Sequence, residues 1–302
     1  MVTPLVTIFT ITRNRCDLLP RAMRSILNQT YRNIEYIIID SASTDNTESV
    51  VKGFSDNRIR YVKLDHNETF GHCLNMAVHL ATGKYVTELD DDDEYNLDKI
   101  DKQVNLFESL TEDYGMVYCW MSYYDNSSGK LLNIHNPSLK GYVFNDVVEK
   151  PLVSGTPTLL FRKSIFDAIG GYKEASEIGV ESDWEFACRI CERYKVDYVP
   201  ESLVKVYINH GHVRMSNAKE YYAEIDKRII KFHSFFLDRF KSVFEKYPKK
   251  KWYHLKNIAS AYYHLGQYKE GYYYYKELLE IKKDFNSVLL PIKSIVKRFI
   301  NH

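Results

Sequence analysis

The chain has 302 residues, which is enough for one large α/β domain with an appendage or for two domains. Its 41 lysines and arginines balance 40 aspartates and glutamates, so no overall positive field favours a nucleic-acid partner. No apolar stretch approaches the roughly 18 residues of a membrane-spanning helix, and the first arginines follow the apolar run instead of preceding it as in a signal peptide. We therefore expect a cytoplasmic protein, either free or peripheral on the inner face of the cytoplasmic membrane.

The predicted elements of the first hundred residues alternate between β-rich runs and amphipathic helical runs. This order builds a parallel sheet from βαβ units. The predicted strands cover residues 5–12, 35–40, 60–64 and 85–89, and the predicted helices cover 18–28, 45–54 and 71–81. Asp45 and Glu48 have the spacing of a helix capping box. Because ligands bind at the carboxyl ends of strands in such sheets, we expect residues 12–14, 40–43 and 90–93 to line one crevice.

An acidic run, residues 90–94, directly follows the fourth predicted strand. Carboxylate oxygens are the ligands that Mg²⁺ and Mn²⁺ prefer, so the run is a candidate metal site. A solvated acidic turn is the alternative, and it is the more common outcome for an isolated charge run. The sequence has no GxGxxG or GxxxxGK[ST] motif, which excludes the phosphate loops of dinucleotide enzymes and P-loop NTPases.

The middle of the chain mixes predicted strands at 116–124, 158–161 and 196–199 with predicted helices at 163–169 and 183–193. Cys188 and Cys191 form a CxxC pair there, but they lie inside a helical pattern without a second cysteine pair, so we favour a helix over a zinc or redox site. The five cysteines of the chain lack the spacing of a disulfide framework and indicate reduced thiols.

After residue 217 the composition becomes helical, basic and rich in tyrosine. Residues 252–281 resemble one tetratricopeptide hairpin, which cannot bury its apolar face alone and must pack on the rest of the chain, on a second copy or on a partner. Residues 288–300 form a basic amphipathic pattern. Such a helix lies in a membrane interface or docks on the protein, and the sequence leaves both open.

Several motifs along this chain occur in the order found in one enzyme family. They comprise VTIFTITRNR at 6–15, SILNQTY at 25–31, DSASTDNT at 40–47, LDDDD at 89–93, FRK at 161–163, GGY at 170–172 and SDWEF at 182–186. This ordered set resembles the family-2 glycosyltransferases of the GT-A fold over roughly residues 4–215. The resemblance implies an α/β, Rossmann-like sheet with helices on both faces over residues 1–217, with a nucleotide-sugar half at 1–112 and an acceptor half at 113–217. Residues 218–302 would then form an all-helical extension.

The resemblance also implies the reaction, which is transfer of a sugar from a nucleotide-diphosphate sugar to an acceptor hydroxyl with inversion at the anomeric carbon. The acceptor would be a glycan or lipid-linked sugar in surface polysaccharide, lipopolysaccharide, glycolipid or glycoprotein assembly. The cofactor would be Mn²⁺ or Mg²⁺, and a UDP-sugar is the favoured donor. A homodimer, and a membrane or protein contact through the C-terminal helices, are further expectations.

Matching motifs assign roles to individual residues. Asp183 is the implied general base, and Asp92 is the implied metal ligand, with His210 or its competitor His212 completing the metal site. The implied nucleotide-sugar contacts are Thr12, Arg13, Asn14, Asp40, Ser41, Asn75, Asp90 and Asp91. The implied acceptor contacts are Gly155, Glu181 and Trp184.

Structural roles remain open for some of these residues. Asp183 can cap its own helix and Trp184 can fill the core. Ser41 stands where many family members have a second aspartate, Arg13 stands where tyrosine is usual, and Ser182 replaces a glutamate. The donor base is therefore left open.

Two other classes of function compete with this interpretation. A nucleotidyltransferase usually needs a glycine-rich, basic first loop, and a phosphatase of the aspartate type needs DxDx[TV] at its first strand; residues 5–15 contain neither. A degenerate, glycosyltransferase-like scaffold or binding protein is the second alternative. Retention of Asp92 and Asp183 argues against it.

Overall fold

The computed structural model describes residues 3–153, 155–179, 182–212, 222–282 and 285–301. Its chain packs as two compact units. The first unit comprises residues 1–143, 153–172 and 183–211, and the second comprises 144–152, 173–182 and 212–302. The second unit thus takes in two short segments from the range that the sequence assigns to the α/β domain, and the predicted boundary at residue 217 stays a prediction.

A sheet of nine strands forms the first unit. The strands are β1 Val6–Thr12, β2 Ile34–Asp40, β3 Ile59–Lys63, β4 Tyr85–Glu88, β5 Glu94–Tyr95, β6 Tyr114–Asp125, β7 Leu131–His135, β8 Leu160–Arg162 and β9 Lys195–Ile208. Their order is β3-β2-β1-β4-β8-β6-β9-β5, and β7 pairs with β6. The first four strands are parallel as predicted, whereas β8 runs antiparallel to both β4 and β6. The complete sheet is therefore mixed.

The helices are distributed over both parts of the chain. Those between residues 19 and 193 are α1 Leu19–Leu27, α2 Thr47–Lys52, α3 Phe70–Leu80, α4 Lys99–Glu108, α5 Phe144–Val147, α6 Lys163–Ile169, α7 Ala175–Ile178 and α8 Ser182–Arg193. Those that follow are α9 Tyr222–Arg239, α10 Lys241–Lys246, α11 Trp252–His264, α12 Tyr268–Ile281, α13 Phe285–Val288 and α14 Leu290–Asn301.

The central strands are buried on both faces. Val6, Ile8 and Phe9 of β1 have no exposed surface, and Tyr36–Ile39 of β2 are equally buried. Burial of both faces is typical of parallel strands that are covered by helices on each side. Since apolar side chains fill the strand interiors, polar side chains that must reach a ligand are confined to the strand ends.

Some elements differ from the sequence prediction. The helix α4 and the short strands β5 and β7 were not predicted, and β9 continues to Ile208 instead of ending at Val199. Its pairing with β6 skips from Val199 to Ser202, so that Pro200 lies in a bulge and the ladder resumes beyond it. The predicted capping box is wrong, because Asp45 accepts the backbone N–H of Thr47 at 3.0 Å while Glu48 pairs with two lysines.

The second unit contains the predicted helical hairpin. Helices α11 and α12 are joined through Gly266, whose φ of +76° suits the left-handed region that ends a helix. A Cβ built on Gly271 of α12 would meet the Tyr263 ring of α11 at 3.3 Å, so glycine permits the close approach of the two helices. Their apolar core contains Leu255, Ala259, Tyr263, Leu278 and Leu290. The expected all-helical C-terminal region is confirmed.

The described part of α14 docks on this core. Leu290 is 7% exposed, and the Ser294 hydroxyl lies 2.9 Å from that of Ser260 on α11. Ile292 is 61% exposed, whereas Ile295 packs against the core, so these two residues do not share one free apolar face. The side chains of Val296 and Phe299, which belong to the amphipathic pattern of residues 288–300, lie outside the described residues. None of the described helices has the length and apolar character that a membrane crossing requires.

Two substitutions on α14 should test whether this helix docks on the core through Leu290. Leu290→Ala removes buried methyl groups and should lower the free energy of unfolding by about 2–4 kcal/mol. Ile292→Ala, which shortens an exposed side chain on the same helix, should change it by less than about 0.5 kcal/mol. Urea unfolding followed by circular dichroism measures both values. Equal effects of the two substitutions would show that α14 does not dock through Leu290.

Two buried histidines contact each other in the second unit. The Nε2 of His254 lies 2.9 Å from the carbonyl oxygen of Val148 and must donate to it. Its Nδ1 is then an acceptor for the Nδ1–H of His233, 3.0 Å away. Burial lowers the pKa of His254 to about 4, and burial together with His254 lowers the pKa of His233 well below its ordinary value. Both rings are therefore neutral at pH 7.

This pair should make the second unit sensitive to acid. The unfolded chain takes up protons below its histidine pKa of about 6.5, whereas folded His254 resists protonation until about pH 4, so stability should fall as pH drops through this window. His254 alone accounts for about 3 kcal/mol across the window. Urea unfolding between pH 7 and pH 4.5 should show the decline, and His254→Gln should reduce it because the amide donates to Val148 without titrating. An unchanged slope in this variant would assign the decline to other groups.

Candidate functional site

An acidic loop follows β4 and is tied to β1. The N–H of Leu89 donates to the carbonyl of Phe9 at 2.9 Å, and the Thr10 hydroxyl donates to the carbonyl of Leu89 at 2.8 Å. These bonds extend the pairing of β1 with β4 to the point where the carboxylates begin. The loop, residues 89–93, is therefore held rigidly at the carboxyl ends of the central strands, as the sequence predicted.

Three carboxylates of this loop converge. Oxygen atoms of Asp90, Asp92 and Asp93 all lie within 4.8 Å of one another. Asp92 and Asp93 are 3% and 1% exposed, so the cluster is not a solvated acidic turn. Asp93 was not among the predicted site residues, although it belongs to the same acidic run.

The end of β9 closes one side of the cluster. The Nε2 of His210 lies 2.9 Å from Oδ2 of Asp92, and the His210 side chain has no exposed surface. The N–H of Tyr207 donates to Oδ1 of Asp93 at 3.0 Å. Carboxylate oxygens with one imidazole nitrogen suit Mn²⁺, and Mg²⁺ through the oxygens, so the donor set fits the predicted metal. The competitor His212 belongs to the second unit.

Asp91 is not one of these three carboxylates and binds two residues of the β1 end instead. Its Oδ2 accepts the Thr12 hydroxyl at 2.7 Å, and its Oδ1 lies 2.8 Å from Nη1 of Arg15. The same Nη1 lies 3.3 Å from Oδ2 of Asp92. Burial raises the pKa of Asp91 to about 6, even though Arg15 and Thr12 act in the opposite direction. Arg15 was not assigned a role from the sequence, although it follows the predicted contacts Arg13 and Asn14 directly.

The loops after β1 and β2 are bonded to each other. Asn14, with φ of +52°, accepts the N–H of Thr44 on its side-chain oxygen at 2.8 Å. Asp40 has no exposed surface and accepts the N–H of Ser43 at 2.8 Å and the hydroxyl of Tyr61. Burial and this carboxylate raise the pKa of Tyr61 above its ordinary value. In the conformation described, Asp40 shapes the loop.

The other predicted nucleotide contacts differ in exposure. Arg13 is exposed, whereas Ser41 is 4% exposed and donates its hydroxyl to Asn67 at 3.2 Å. Asn75 uses both amide atoms on the backbone of Tyr172, accepting its N–H at 2.8 Å and donating to its carbonyl at 3.0 Å. The direct role of Asn75 is therefore to hold the GGY turn, and its contact with a donor stays a prediction.

Two further carboxyl groups, those of Glu88 and Asp183, interact electrostatically with each other, and Glu88 also interacts with Asp90 of the cluster. Glu88 is 1% exposed, and neither of its carboxyl oxygens has a hydrogen bond of normal geometry. Burial, followed by the negative charges of Asp90 and Asp183, raises the pKa of Glu88 well above its ordinary value. Its surroundings thus disfavour the charged form of Glu88. The sequence signal for a buried carboxyl group here was the single glutamate near the end of the predicted strand at residues 85–89.

Asp183 stands at the start of α8. Part of the residue is accessible, but protein surrounds its carboxyl group closely enough that desolvation raises its pKa. The backbone N–H groups of Gly155 and Trp184 oppose that shift. The predicted acceptor residue Gly155 has a φ of +98°, a conformation that a side chain would strain.

The remaining predicted acceptor residues do not form an exposed platform. Trp184 is 1% exposed, so its ring packs in the interior and presents no face to a sugar in this conformation. Glu181 lies outside the described residues. One turn further along α8, Arg189 binds Glu185 at 2.8 Å and the carbonyl of Gly171, which fixes α8 to the GGY turn.

Comparisons with known proteins give the family. The family described as Glycosyl transferase family 2 matches residues 7–170, which is more than half of the chain. The chain belongs to this family. The prediction of a glycosyltransferase of the GT-A fold is therefore confirmed, and the protein is a transferase.

Individual relatives agree with this assignment. The uncharacterized glycosyltransferase MJ1057 of Methanocaldococcus jannaschii is 27% identical over 225 residues, which cover 72% of this chain and 75% of the relative. The UDP-Glc:alpha-D-GlcNAc-diphosphoundecaprenol beta-1,3-glucosyltransferase WfaP of Escherichia coli is 35% identical over 105 residues, covering 35% of this chain and 42% of WfaP.

A solved structure extends the likeness of fold to nearly the whole chain. The mannosyltransferase PcManGT from Pyrobaculum calidifontis, in complex with GDP-Man and Mn²⁺, superposes with a TM-score of 0.61. The match covers 99% of this chain and 81% of that one at 17% identity, so it supports the shared fold alone.

The acidic cluster should bind Mn²⁺ through Asp92. Asp92→Asn removes one charged oxygen ligand and should weaken Mn²⁺ binding by about tenfold or more in the presence of UDP or GDP, because hard cations depend on carboxylate charge. Electron paramagnetic resonance of free Mn²⁺ measures the affinity. Asp98→Asn is the matched control, since its side chain is 42% exposed. Equal affinities of the two variants would contradict the role of Asp92.

Proposed function

We propose that this family-2 enzyme transfers a sugar from a nucleotide-diphosphate sugar to a hydroxyl of a glycan or lipid-linked glycan acceptor, with inversion at the anomeric carbon. The observation that carries the proposal is the cluster of Asp90 with the buried Asp92 and Asp93. It lies beside His210, and the carboxyl group of Asp183 has a raised pKa. Asp90 and Asp183 both act electrostatically on Glu88, so the carboxylates proposed for metal binding and for proton acceptance lie near the same residue.

The acidic cluster would serve the leaving diphosphate. We assign Asp92 as the direct ligand of Mn²⁺ or Mg²⁺, with His210 beside it and Asp90 and Asp93 completing the oxygen set. When bound, the cation supplies Lewis-acid stabilisation of the charge that develops on the diphosphate. Burial of the carboxylates excludes water, which strengthens their interaction with a cation.

Asp183 would act on the acceptor. An inverting reaction needs a base that takes the proton of the attacking hydroxyl, and a raised pKa improves a carboxylate for that task. Desolvation raises the pKa of Asp183, and its position at the first turn of α8 orients the carboxyl group.

The donor and acceptor classes rest on relatives. WfaP is named as a UDP-Glc-dependent enzyme acting on a diphosphoundecaprenol-linked sugar, and the PcManGT complex contains GDP-Man and Mn²⁺. We favour a UDP-sugar and a lipid-linked or polysaccharide acceptor, which would place the enzyme at the cytoplasmic face of a membrane.

A panel of UDP-, GDP-, dTDP- and CMP-sugars tests this proposal. The matching donor with Mn²⁺ should raise the unfolding temperature, since ligand at about 100 times its dissociation constant stabilises a protein by about 2.7 kcal/mol. Slow hydrolysis of the same donor, detected as released nucleotide, should accompany the shift. Stabilisation by none of the four classes, with and without Mn²⁺, would overturn the proposed function.

Asp183→Asn should separate binding from catalysis. The amide cannot accept the acceptor's proton, so turnover should fall by about 10²–10⁴-fold while the dissociation constant of the donor stays within a factor of about three. Radiolabelled sugar transfer and donor-dependent thermal shifts measure the two quantities. Asp167→Asn, which removes an exposed carboxylate, is the control. Near-native turnover of Asp183→Asn at saturating acceptor would exclude Asp183 as the base.

A further inference from the structure

A fixed positive charge lies against the proposed metal ligand. Nη1 of Arg15 lies 3.3 Å from Oδ2 of Asp92 and 2.8 Å from Oδ1 of Asp91. The Asp92 oxygen that Arg15 approaches is also the one 2.9 Å from His210. The Arg15 side chain is 20% exposed, whereas the side chains of Asp91 and Asp92 are only 6% and 5% exposed. Arg15 thus reaches from the solvent side onto the buried carboxylates.

This charge opposes a metal ion at Asp92. A guanidinium and a divalent cation that share one carboxylate repel each other, and the repulsion is strong where water is excluded. Arg15 cannot relieve it by losing a proton, because a guanidinium stays protonated in proteins. Either Arg15 moves away or another negative charge compensates for it.

The diphosphate of a nucleotide-sugar supplies that negative charge. A guanidinium binds phosphate oxygens through two parallel hydrogen bonds, whereas Nη1 of Arg15 lies 3.3 Å from Oδ2 of Asp92. Asp91 does not depend on Arg15 alone, because the Thr12 hydroxyl also binds it at 2.7 Å. Departure of Arg15 therefore leaves Asp91 with the Thr12 hydroxyl and removes the guanidinium charge from Asp92.

We propose that Arg15 couples the binding of metal and nucleotide: it occupies the Asp92 carboxylate in the free enzyme and turns to the diphosphate when a nucleotide binds. The divalent cation then binds weakly alone and strongly together with a nucleoside diphosphate. The inference rests on the proposed function and adds to it a residue that sets the order and cooperativity of binding.

Calorimetric titration of Mn²⁺ into the protein, with and without saturating UDP or GDP, tests the proposal. The wild type should bind Mn²⁺ at least tenfold more tightly with nucleotide than without it. In Arg15→Gln, Mn²⁺ alone should bind about tenfold more tightly than to the wild type. The coupling factor with the nucleotide should fall, because only the direct attraction between the diphosphate and the cation would remain. Because coupling is reciprocal, nucleotide titrations with and without Mn²⁺ must give the same factor.

Two further variants complete the experiment. Arg24→Gln removes an exposed positive charge from α1 and should behave as the wild type. Arg15→Lys keeps the charge but not the planar fork, so Mn²⁺ alone should still bind weakly while the coupling factor falls. Circular dichroism checks that each variant is folded, and Arg15→Lys serves as the test if Arg15→Gln does not fold.

The outcomes separate this inference from the proposed function. Binding of Mn²⁺ and nucleotide by Arg15→Gln with the wild-type coupling factor, or weaker binding of Mn²⁺ alone, would overturn the role of Arg15 and leave the proposed function intact. If no protein in the set binds Mn²⁺ and a nucleotide, both proposals fail.

Discussion

The attachment of the acidic loop to β1 is the constraint on which the rest of the site depends. Leu89 continues the backbone pairing of the sheet, and Thr10 and Thr12 extend it with two side-chain hydrogen bonds, the second of them to Asp91. Buried carboxylates repel one another and lose their hydration, so an unrestrained loop would turn them to solvent. The sheet edge prevents this and keeps Asp90, Asp92 and Asp93 together.

Burial of these charges has a cost that the surrounding residues offset only in part. Arg15 and His210 face Asp92, whereas Glu88 accepts no hydrogen bond of normal geometry and has a raised pKa because it is buried. A site that holds several carboxylates close together gives up stability for function, because a ligand that brings positive charge relieves their repulsion on binding. The negative charge of the three carboxylates favours a cation, and a bound cation would in turn attract a diphosphate.

The second unit is stabilised in a different way. Its core is apolar and aromatic, with α11 and α12 in close contact at Gly271 and α14 docked through Leu290. Its buried polar contacts include the neutral pair of His233 and His254, which holds the carbonyl of Val148. The tetratricopeptide-like hairpin therefore buries its apolar face against neighbouring helices of its own chain.

The sequence by itself determined the family, the first four strands and the strand ends at which the polar residues lie, because hydrophobic periodicity and local motifs are properties of short segments. It also singled out Asp92, Asp183 and His210 as candidates. Only the tertiary structure decided which polar atoms meet: that Asp91 binds Arg15 and Thr12, that Asn75 binds the backbone of Tyr172, and that Trp184 is interior. The strand β9 is also longer than predicted, because its pairing with β6 resumes beyond a bulge at Pro200. The sequence around Pro200 does not show that the partner strand β6 continues this far. Contacts between residues far apart in the chain depend on how strands are ordered and how helices pack, and local sequence does not specify either.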